Sequence, residues 1–180
     1  QRQMCIRDRH IQRTARWLSL SIASLFFATA ASGQTSAPCP SQTLSDPPRV
    51  VYRCASGVTI EVEQRTALEG FLGPILEGVR NIFVSDRAIM VDVEPGLGAF
   101  QIRTPYAIAS VRGTTFIVDA LTNSADVFVI EGLVSVSGGY AMGLVELSAG
   151  DGVSVTSTAL SDVSQWPQTR VSALLRRFDR

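Results

Sequence analysis

From residue 81 to residue 156 the chain repeats one pattern, in which a short run of alternating apolar and polar residues is followed by residues typical of a turn. An alternation of period two indicates a β-strand with one buried face. Strands this short and this closely spaced predict an all-β fold, either a sandwich, a roll or a short solenoid. The runs occupy residues 81–84, 88–93, 99–103, 107–111, 114–119, 126–130, 133–137, 144–148 and 152–156.

The segments before residue 81 are less regular. Residues 34–49 are rich in Ser, Thr and Pro, so we expect a linker there. Residues 50–54 and 58–63 are predicted strands, and the second alternates apolar with acidic residues, which indicates a half-exposed strand. Residues 65–79 fit a short broken helix or an irregular strand pair equally well, because Gly70, Gly73 and Pro74 interrupt their helical stripe.

The final segment, residues 161–180, changes period. Val171, Leu174, Leu175 and Phe178 fall at positions i, i+3, i+4 and i+7, which predicts an amphipathic α-helix. We expect this helix to pack its apolar stripe over one end of the β-domain, where it would cover an apolar face or a sheet edge. Docking to a membrane surface or to a partner is the alternative.

Residues 1–33 have the organisation of a secretory signal peptide. Arginines precede an apolar stretch of 14 residues at 17–30, and small residues follow it. Because the stretch is short for a membrane span, we expect cleavage before Gln34 or a few residues earlier, and a periplasmic mature protein. An uncleaved leader that anchors the protein in the membrane is the alternative. Residues 1–9 resemble translated adapter sequence, and we leave them out of the functional interpretation.

The net charge of the chain after the leader limits the classes of partner that it can bind. Residues 34–180 contain 11 arginines, no lysine and 15 acidic residues, a net charge of about −4. A sequence with this net negative charge does not have the excess of basic residues that is typical of nucleic-acid binding, so we expect no nucleic-acid partner.

Residues 34–180 also include two cysteines, Cys39 and Cys54, and in an exported protein such a pair predicts a disulfide bond. Two separate buried thiols are the alternative.

Most residue types that carry enzymatic chemistry are missing after the leader. The only histidine is His10 and the chain has no lysine, which excludes Ser–His and Cys–His dyads, lysine-based activation and histidine-rich zinc sites. Glu61 with Glu63, and Asp92 with Glu94, could form acid pairs of the glycosidase kind. On a half-exposed strand we interpret them as a solvated face instead. We therefore expect a protein that is not an enzyme and that has no cofactor or metal ion.

Three stretches carry a resemblance to a known family. Residues 103–119 read RTPYAIASVRGTTFIVD, residues 127–136 read VFVIEGLVSV, and residues 147–151 read LSAGD. Together they resemble the FecR-type periplasmic domain, whose core is a TP…VRGT.F.V segment followed by V.V..G.V.V and L..G. The resemblance covers residues 80–156 and implies a stacked, solenoid-like β-roll, so we assign residues 50–160 to a FecR-like β-domain.

The residues that match the family motif are the candidate site residues, either as structural elements or as partner contacts. They are Thr104, Pro105, Arg112, Gly113, Thr114 and Gly132. Gly113 can adopt dihedral angles that other residues avoid, which allows a corner or a bulge. For Arg112 we favour a structural role, in which its guanidinium group donates hydrogen bonds to carbonyl oxygens or to an acidic side chain. Binding of a partner or of an anionic ligand is the alternative.

The resemblance implies a role in the cell envelope. In FecR-type regulators this domain is the periplasmic sensing half of a transmembrane sigma-factor regulator, and it contacts the signalling domain of an outer-membrane transporter. In this sequence at most sixteen residues precede the apolar stretch, which we interpret as too few for a cytoplasmic sigma-binding domain. Our first hypothesis is therefore a free periplasmic module that binds an envelope protein or glycan. Our second is a membrane-anchored sensor in sigma-factor signalling of the iron-uptake type.

Overall fold

The alternating strands form two β-sheets whose apolar sides face each other, and the predicted all-β sandwich with a C-terminal helix is confirmed. The structure is a computed structural model, and it describes residues 39–63, 68–69, 81–139 and 142–180, with the backbone alone at 68–69. The predicted leader therefore lies outside the described residues. So does the ambiguous segment 65–79, apart from a two-residue strand.

The described residues contain fourteen strands and one α-helix. In chain order the strands are β1 (Ser41–Ser45), β2 (Pro48–Cys54), β3 (Val58–Glu63), β4 (Leu68–Glu69), β5 (Asn81–Val84), β6 (Arg87–Val93), β7 (Phe100–Arg103), β8 (Ala107–Val111), β9 (Thr115–Ala120), β10 (Ser124–Glu131), β11 (Leu133–Gly138), β12 (Leu144–Ser148), β13 (Asp151–Thr156) and β14 (Ser164–Gln165). Helix α1 (Gln168–Leu175) follows, and a 3₁₀ turn (Arg176–Phe178) continues it. The larger sheet has the order β1-β2-β3-β6-β9-β10-β13-β14, and the smaller sheet the order β12-β11-β8-β7-β5-β4.

From β7 onward, successive hairpins lie alternately in the two sheets. The pair β7–β8 lies in the smaller sheet, β9–β10 in the larger, β11–β12 in the smaller and β13–β14 in the larger. The chain crosses between the sheets after β6, β8, β10 and β12, and backbone hydrogen bonds hold these crossings together at one end of the sandwich. This alternation stacks the hairpins along the sandwich, which is the stacked arrangement that the family resemblance implies.

The core between the sheets is built from the inward positions of the alternating strands. Phe100 and Ile102 from the smaller sheet, and Ile60 and Phe116 from the larger sheet, are at most 2% exposed. Burying a side chain of this size stabilises the fold by roughly 1.5–3 kcal/mol relative to leaving it in water. The period-two pattern of the sequence therefore also identifies the core.

A second apolar cluster lies on the outer face of the larger sheet, where the C-terminal segment covers it. Met90, Ile117 and Phe128 come from β6, β9 and β10, and they cluster with Leu174 and Phe178. The helix therefore packs its apolar stripe against the protein, as expected, but on a sheet face and not over an end of the roll. Because the C-terminal segment covers this outer face, the central strands of the larger sheet carry apolar residues on both faces.

The sequence pattern did not predict two short strands that the structure contains. Ser41–Ser45 forms β1 inside the segment expected to be a linker, and Ser164–Gln165 forms β14 inside the segment expected to be helical. Strand β1 has one aliphatic residue, Leu44, and its order comes from backbone pairing with β2 along the sheet edge. The helix begins only at Gln168, after Pro167. Neither strand alternates apolar with polar residues, and this alternation is the signal from which strands are predicted in a sequence.

The predicted disulfide joins Cys39 to Cys54 and closes the hairpin of β1 and β2. Constraining a loop of this size in the unfolded chain stabilises the folded state by about 3 kcal/mol in the chain-entropy account. We therefore expect the double variant Cys39→Ala/Cys54→Ala to lose about 3 kcal/mol of unfolding free energy, measured by urea denaturation. Wild-type protein with the disulfide reduced should show a similar loss. An unchanged urea midpoint in both samples would contradict the expectation.

Candidate interaction surface

Three motif residues form the corner at which the chain crosses between the sheets. Gly113 lies between β8 and β9 and Gly132 between β10 and β11, and their φ angles are +68° and +90°. Thr114 exchanges two backbone hydrogen bonds with Val93, at 3.0 and 3.1 Å. Its Oγ1 donates a third hydrogen bond to the carbonyl oxygen of Leu133, at 2.9 Å. The positive φ angles and these bonds together determine how the two sheets are joined.

Arg112 lies at the same corner, but its side chain does not hold the corner together. The side chain is exposed and makes no hydrogen bond or ion pair with any residue that the structure describes. The structural role that the sequence favoured for Arg112 therefore finds no support in the described part of the chain. The hydroxyl of Thr114 and the backbone bonds to Val93 already close the corner, so no guanidinium donor is needed there.

The other two motif residues lie at the opposite end of β8, in the turn that joins β7 to β8. The Oγ1 of Thr104 accepts hydrogen bonds from the backbone N–H groups of Tyr106 (3.1 Å) and Ala107 (2.8 Å), which fixes the turn. Pro105 is exposed at its tip. The hydroxyl of Tyr106 donates to the carbonyl oxygen of Thr122 at 2.8 Å, which ties this turn to the β9–β10 hairpin of the larger sheet. The structure thus separates the six motif residues into two groups.

The outer faces of the two sheets differ. The larger sheet carries α1, whereas side chains on the outer face of the smaller sheet are exposed or half-buried in the described part of the chain. Phe83, Leu133 and Leu144 are exposed there to 37%, 58% and 67%. We call this surface the open face, and its two central rows are Asn81, Gln101, Ser110, Ser135 and Glu146, and Phe83, Arg103, Ile108, Ser137 and Leu144. Apolar side chains that are grouped on one face mark an interaction site, whereas single scattered ones are ordinary. Phe83, Ile108 and Leu144 share one row of the open face.

A groove of about 550 Å³ crosses the open face next to the Thr104-Pro105 turn. The turn forms one wall, and Gly139, Met142 and Gly143 between β11 and β12 line the other, where Met142 lies against Gly138. Its lining residues are Phe83, Arg103, Thr104, Pro105, Tyr106, Ala107, Ile108, Ser137, Gly138, Gly139, Met142 and Gly143. The groove is the place where one group of motif residues meets the exposed apolar residues of the open face.

Sequence reasoning missed most of the groove. Thr104 and Pro105 were recognised from the family motif, but Phe83, Arg103 and Met142 were not singled out. These three come from β5, β7 and the β11–β12 connection, and only the pairing of strands within the smaller sheet brings them together. The available signal was local, because Phe83 occupies an outward position of an alternating strand, where polar or charged residues are more usual.

The acidic residues of β3 do not form a solvated face, which corrects the sequence interpretation. Glu61 is buried, and its carboxylate accepts a hydrogen bond from the Nε of Arg49 at 2.9 Å. Glu63 accepts two from Arg177, from its Nε and its Nη2, both at 2.7 Å. Arg177 also bonds to Asp119 of β9. With their carboxylates engaged in this way, Glu61 and Glu63 do not present the free acid pair that glycoside cleavage needs.

A third arginine fixes the start of the helix. The Nη2 of Arg170 bonds to Asp126 of β10 at 2.6 Å. Its guanidinium group also lies over the ring of Trp166, 3.4 Å from the centroid, and that ring stacks on Phe128 at 5.3 Å. Cation–π contacts of this kind strengthen when water is partly excluded. The C-terminal segment is therefore held to the larger sheet by apolar packing at its centre and by arginine contacts at both ends.

The ion pair between Arg177 and Glu63 alters the pKa of both groups. Burial raises the pKa of Glu63, but the hydrogen bonds from Arg177 and from the backbone N–H of Ala88 outweigh it, so the pKa lies below its ordinary value. The hydrogen bond to Glu63 raises the pKa of Arg177 above its ordinary value, although burial acts in the opposite direction. The folded state therefore favours the charged forms of both side chains.

The stability that Glu63 contributes should be present at neutral pH and lost in acid. Because its pKa is lower in the folded than in the unfolded chain, the contribution is complete above about pH 4.5 and declines as the pH falls through the folded-state value. We expect Glu63→Gln to melt below wild type at about pH 6, and to lose less of its melting temperature between about pH 6 and 3. Melting curves followed by circular dichroism measure this difference. Equal pH dependence of the two proteins would contradict it.

The described residues give no sign of a metal centre or of a membrane-spanning helix. No three His, Cys, Asp or Glu side chains among them are grouped so that they could hold a metal ion. In the same part of the chain, no helix has both the length and the apolar character that crossing a bilayer requires.

A protein-family model described as "FecR protein" matches residues 47–135. This chain is a FecR-domain protein. The matched range of the FecR domain runs from the start of β2 into β11, and it contains both groups of motif residues. It begins slightly before the predicted domain boundary at residue 50 and ends well before the one at residue 160. FecR proteins are regulatory components of envelope signalling and are not known as enzymes, which supports a signalling module here.

Two solved structures resemble this FecR-domain chain. Both are crystal structures of a proposed anti-sigma factor from Parabacteroides distasonis, with sequence identities of 21% and 22% and a TM-score of 0.46 in each case. Each alignment covers 77% of this chain and 61% of that protein, so the chain spans about three fifths of the length of the protein in those structures. A search of curated proteins finds no significant match.

Proposed function

We propose that this FecR-domain chain is a non-catalytic module of the bacterial cell envelope that binds a partner protein through its open face. The observation that carries the proposal is the difference between the two outer faces. The apolar outer face of the larger sheet is covered by α1, whereas the open face exposes Phe83, Leu133 and Leu144 in the described part of the chain. Protein interfaces are built around exposed apolar anchors of this kind.

The chemistry of the described residues supports binding over catalysis. The carboxylates of Glu61, Glu63 and Asp119 are engaged with arginines beneath the C-terminal segment. Those of Asp92 and Asp126 accept hydrogen bonds from Thr115 and Ser154. Acid–base catalysis needs a group that is free to exchange a proton with a substrate.

We place the module in the periplasm, after removal of residues 1–33 as a signal peptide. The sequence of that segment supports this location, and so does the Cys39–Cys54 disulfide, because such bonds persist in oxidising compartments. Envelope signalling by FecR proteins agrees with the same location. The partner would then be another envelope protein.

Site-specific photo-crosslinking tests the binding surface. The full chain would carry a photoreactive phenylalanine analogue in place of Phe83 on the open face, or in place of Ala173 on the exposed side of α1. We expect an adduct from position 83 and none from position 173, first in envelope preparations and then with the purified captured protein. Adducts from position 173 alone, or capture of a glycan and no protein, would contradict the proposal.

A membrane-anchored sensor in sigma-factor signalling is the second candidate, and the apolar stretch at residues 17–30 favours it. In that case the leader stays attached and the module senses its partner while tethered to the inner membrane. Mass spectrometry of the N-terminus of the exported protein separates the two candidates. A first residue at or near Gln34 supports the free module, and retention of residues 17–30 supports the anchored sensor.

A further inference from the structure

We propose that the groove on the open face binds an extended segment of the partner protein in which an acidic side chain lies next to an apolar one. This inference rests on the proposed function and specifies the chemistry of the partner. It follows from the described residues that line the groove, which combine an apolar surface with one cation that has no partner among those residues.

The cation is Arg103. Among the described residues that line the groove, it is the only ionisable side chain apart from the phenol of Tyr106, and it is exposed. It makes no hydrogen bond or ion pair within the described part of the chain. Its cross-strand neighbours are Ile108 on β8 and Phe83 on β5, and neither can accept a hydrogen bond through its side chain. Within the described part of the chain, the five donors of the guanidinium group therefore have no acceptor and can bind a ligand.

Other arginines of this protein show what such a group binds. Arg49, Arg170 and Arg177 each bond to a carboxylate of the larger sheet, and the bond of Arg177 to Glu63 is bidentate. A planar guanidinium fork matches the two oxygens of a carboxylate, and surrounding apolar groups strengthen the pair by reducing its contact with water. A carboxylate supplied by a partner is the complementary group for Arg103.

The rest of the groove is suited to an apolar side chain. Phe83, Pro105 and Ile108 provide rigid apolar surface, and Met142 adds a flexible thioether that adapts to different shapes. The volume of about 550 Å³ lies within the usual range of ligand sites and accommodates about two or three residues of an extended peptide. An acidic and an apolar side chain close together in sequence would occupy both parts of the groove.

Selection from a library of random 12-residue peptides, displayed on phage and applied to the immobilised full chain, tests the inference. We expect the selected peptides to be enriched in Asp or Glu within two positions of Phe, Leu, Ile or Met. Synthetic versions should bind Arg103→Glu at least tenfold more weakly than wild type. The matched control is Arg112→Glu, which reverses an exposed arginine at the other end of β8 that has no partner among the described residues and should leave binding unchanged. Melting temperatures would verify that both variants are folded.

The possible outcomes separate this inference from the function on which it rests. Peptides that lose binding with Phe83→Ala but show no acidic enrichment would overturn the acidic chemistry and leave the open face as a binding surface. Peptides that respond equally to Arg103→Glu and Arg112→Glu would indicate general charge attraction and overturn the groove as their site. Failure to select any peptide sensitive to Phe83→Ala or Arg103→Glu would contradict both the inference and the proposed function.

Discussion

Replacing Arg177 by alanine should lower the free energy of unfolding by about 2–3 kcal/mol, because it removes the cation from a largely buried group of charges. The side chains of Glu63 and Asp119 are only 17% and 10% exposed, and without Arg177 they would lose the cation that they share, although Glu63 would keep its hydrogen bond from the backbone N–H of Ala88. Fully buried pairs lose about 3–5 kcal/mol when one partner is removed, and exposed pairs lose about 0–1. Arg177 is 30% exposed, so we expect a value between these limits.

Arg176→Ala is the matched control for this variant. Arg176 is the preceding residue in the same 3₁₀ turn, but its side chain is exposed and makes no bond with another described residue. Its replacement should change the unfolding free energy by about 0.5 kcal/mol or less. Urea denaturation of both variants gives the comparison. Equal losses would mean that the paired carboxylates contribute nothing and that only the helical propensity of the turn matters.

Replacing Gly132 by alanine should be at least as damaging, with an expected loss of about 3 kcal/mol. Gly132 has a φ of +90°, which an alanine tolerates poorly. A β-carbon there would also lie 2.8 Å from the Oγ1 of Thr114 and 2.9 Å from the carbonyl oxygen of Gly113. Because one of these atoms belongs to the backbone of the adjacent crossing, the clash can be relieved only by moving the corner.

Gly96→Ala separates the two causes. Gly96 has nearly the same φ, +89°, but no atom lies within 4 Å of the position its β-carbon would take. We expect this variant to lose only about 1 kcal/mol, which is the cost of the dihedral angle alone. Urea denaturation of both proteins measures the difference. If the two variants lose equal amounts, close packing at the corner is not what requires glycine at position 132.

Much of the fold could be predicted from the sequence because its signals are local. The predicted run at 107–111 coincides with β8, and the one at 88–93 matches β6 to within one residue. Alternation, turn residues and the apolar stripe of the C-terminal helix each depend on a few neighbouring residues. The assignment of each strand to a sheet could not be predicted, because it depends on corners such as Gly113 and Gly132, where contacts form between distant segments.

The candidate site was less predictable for the same reason. Glu63 and Arg177 are separated by 114 positions, so the sequence offers no sign that the acidic residues of β3 are paired. The family motif identified Thr104 and Pro105, but the groove needs Phe83 and Arg103 from other strands. Arg112 shows the opposite error, since a recognisable motif position received a structural role that the described contacts do not support.

The contrast between the sheets gives the C-terminal helix a clear function in the fold. Without α1, the apolar positions of β6, β9 and β10 would be exposed, and the larger sheet would present an apolar face to solvent. The helix and the 3₁₀ turn after it remove that face from contact with other molecules, and Arg170 and Arg177 pair with carboxylates of the larger sheet. In the proposed function, binding would be directed to the open face, which carries the groove.

The central claim is that the open face is where a partner binds, and a titration of the captured protein tests it most directly. The affinity of the purified partner would be measured for the full-length wild type, for Phe83→Ser on the open face and for Arg176→Ser on the covered side. We predict a dissociation constant at least tenfold higher for Phe83→Ser and unchanged for Arg176→Ser. A loss of affinity with Arg176→Ser, and none with Phe83→Ser, would contradict the claim and place the binding surface at the C-terminal segment.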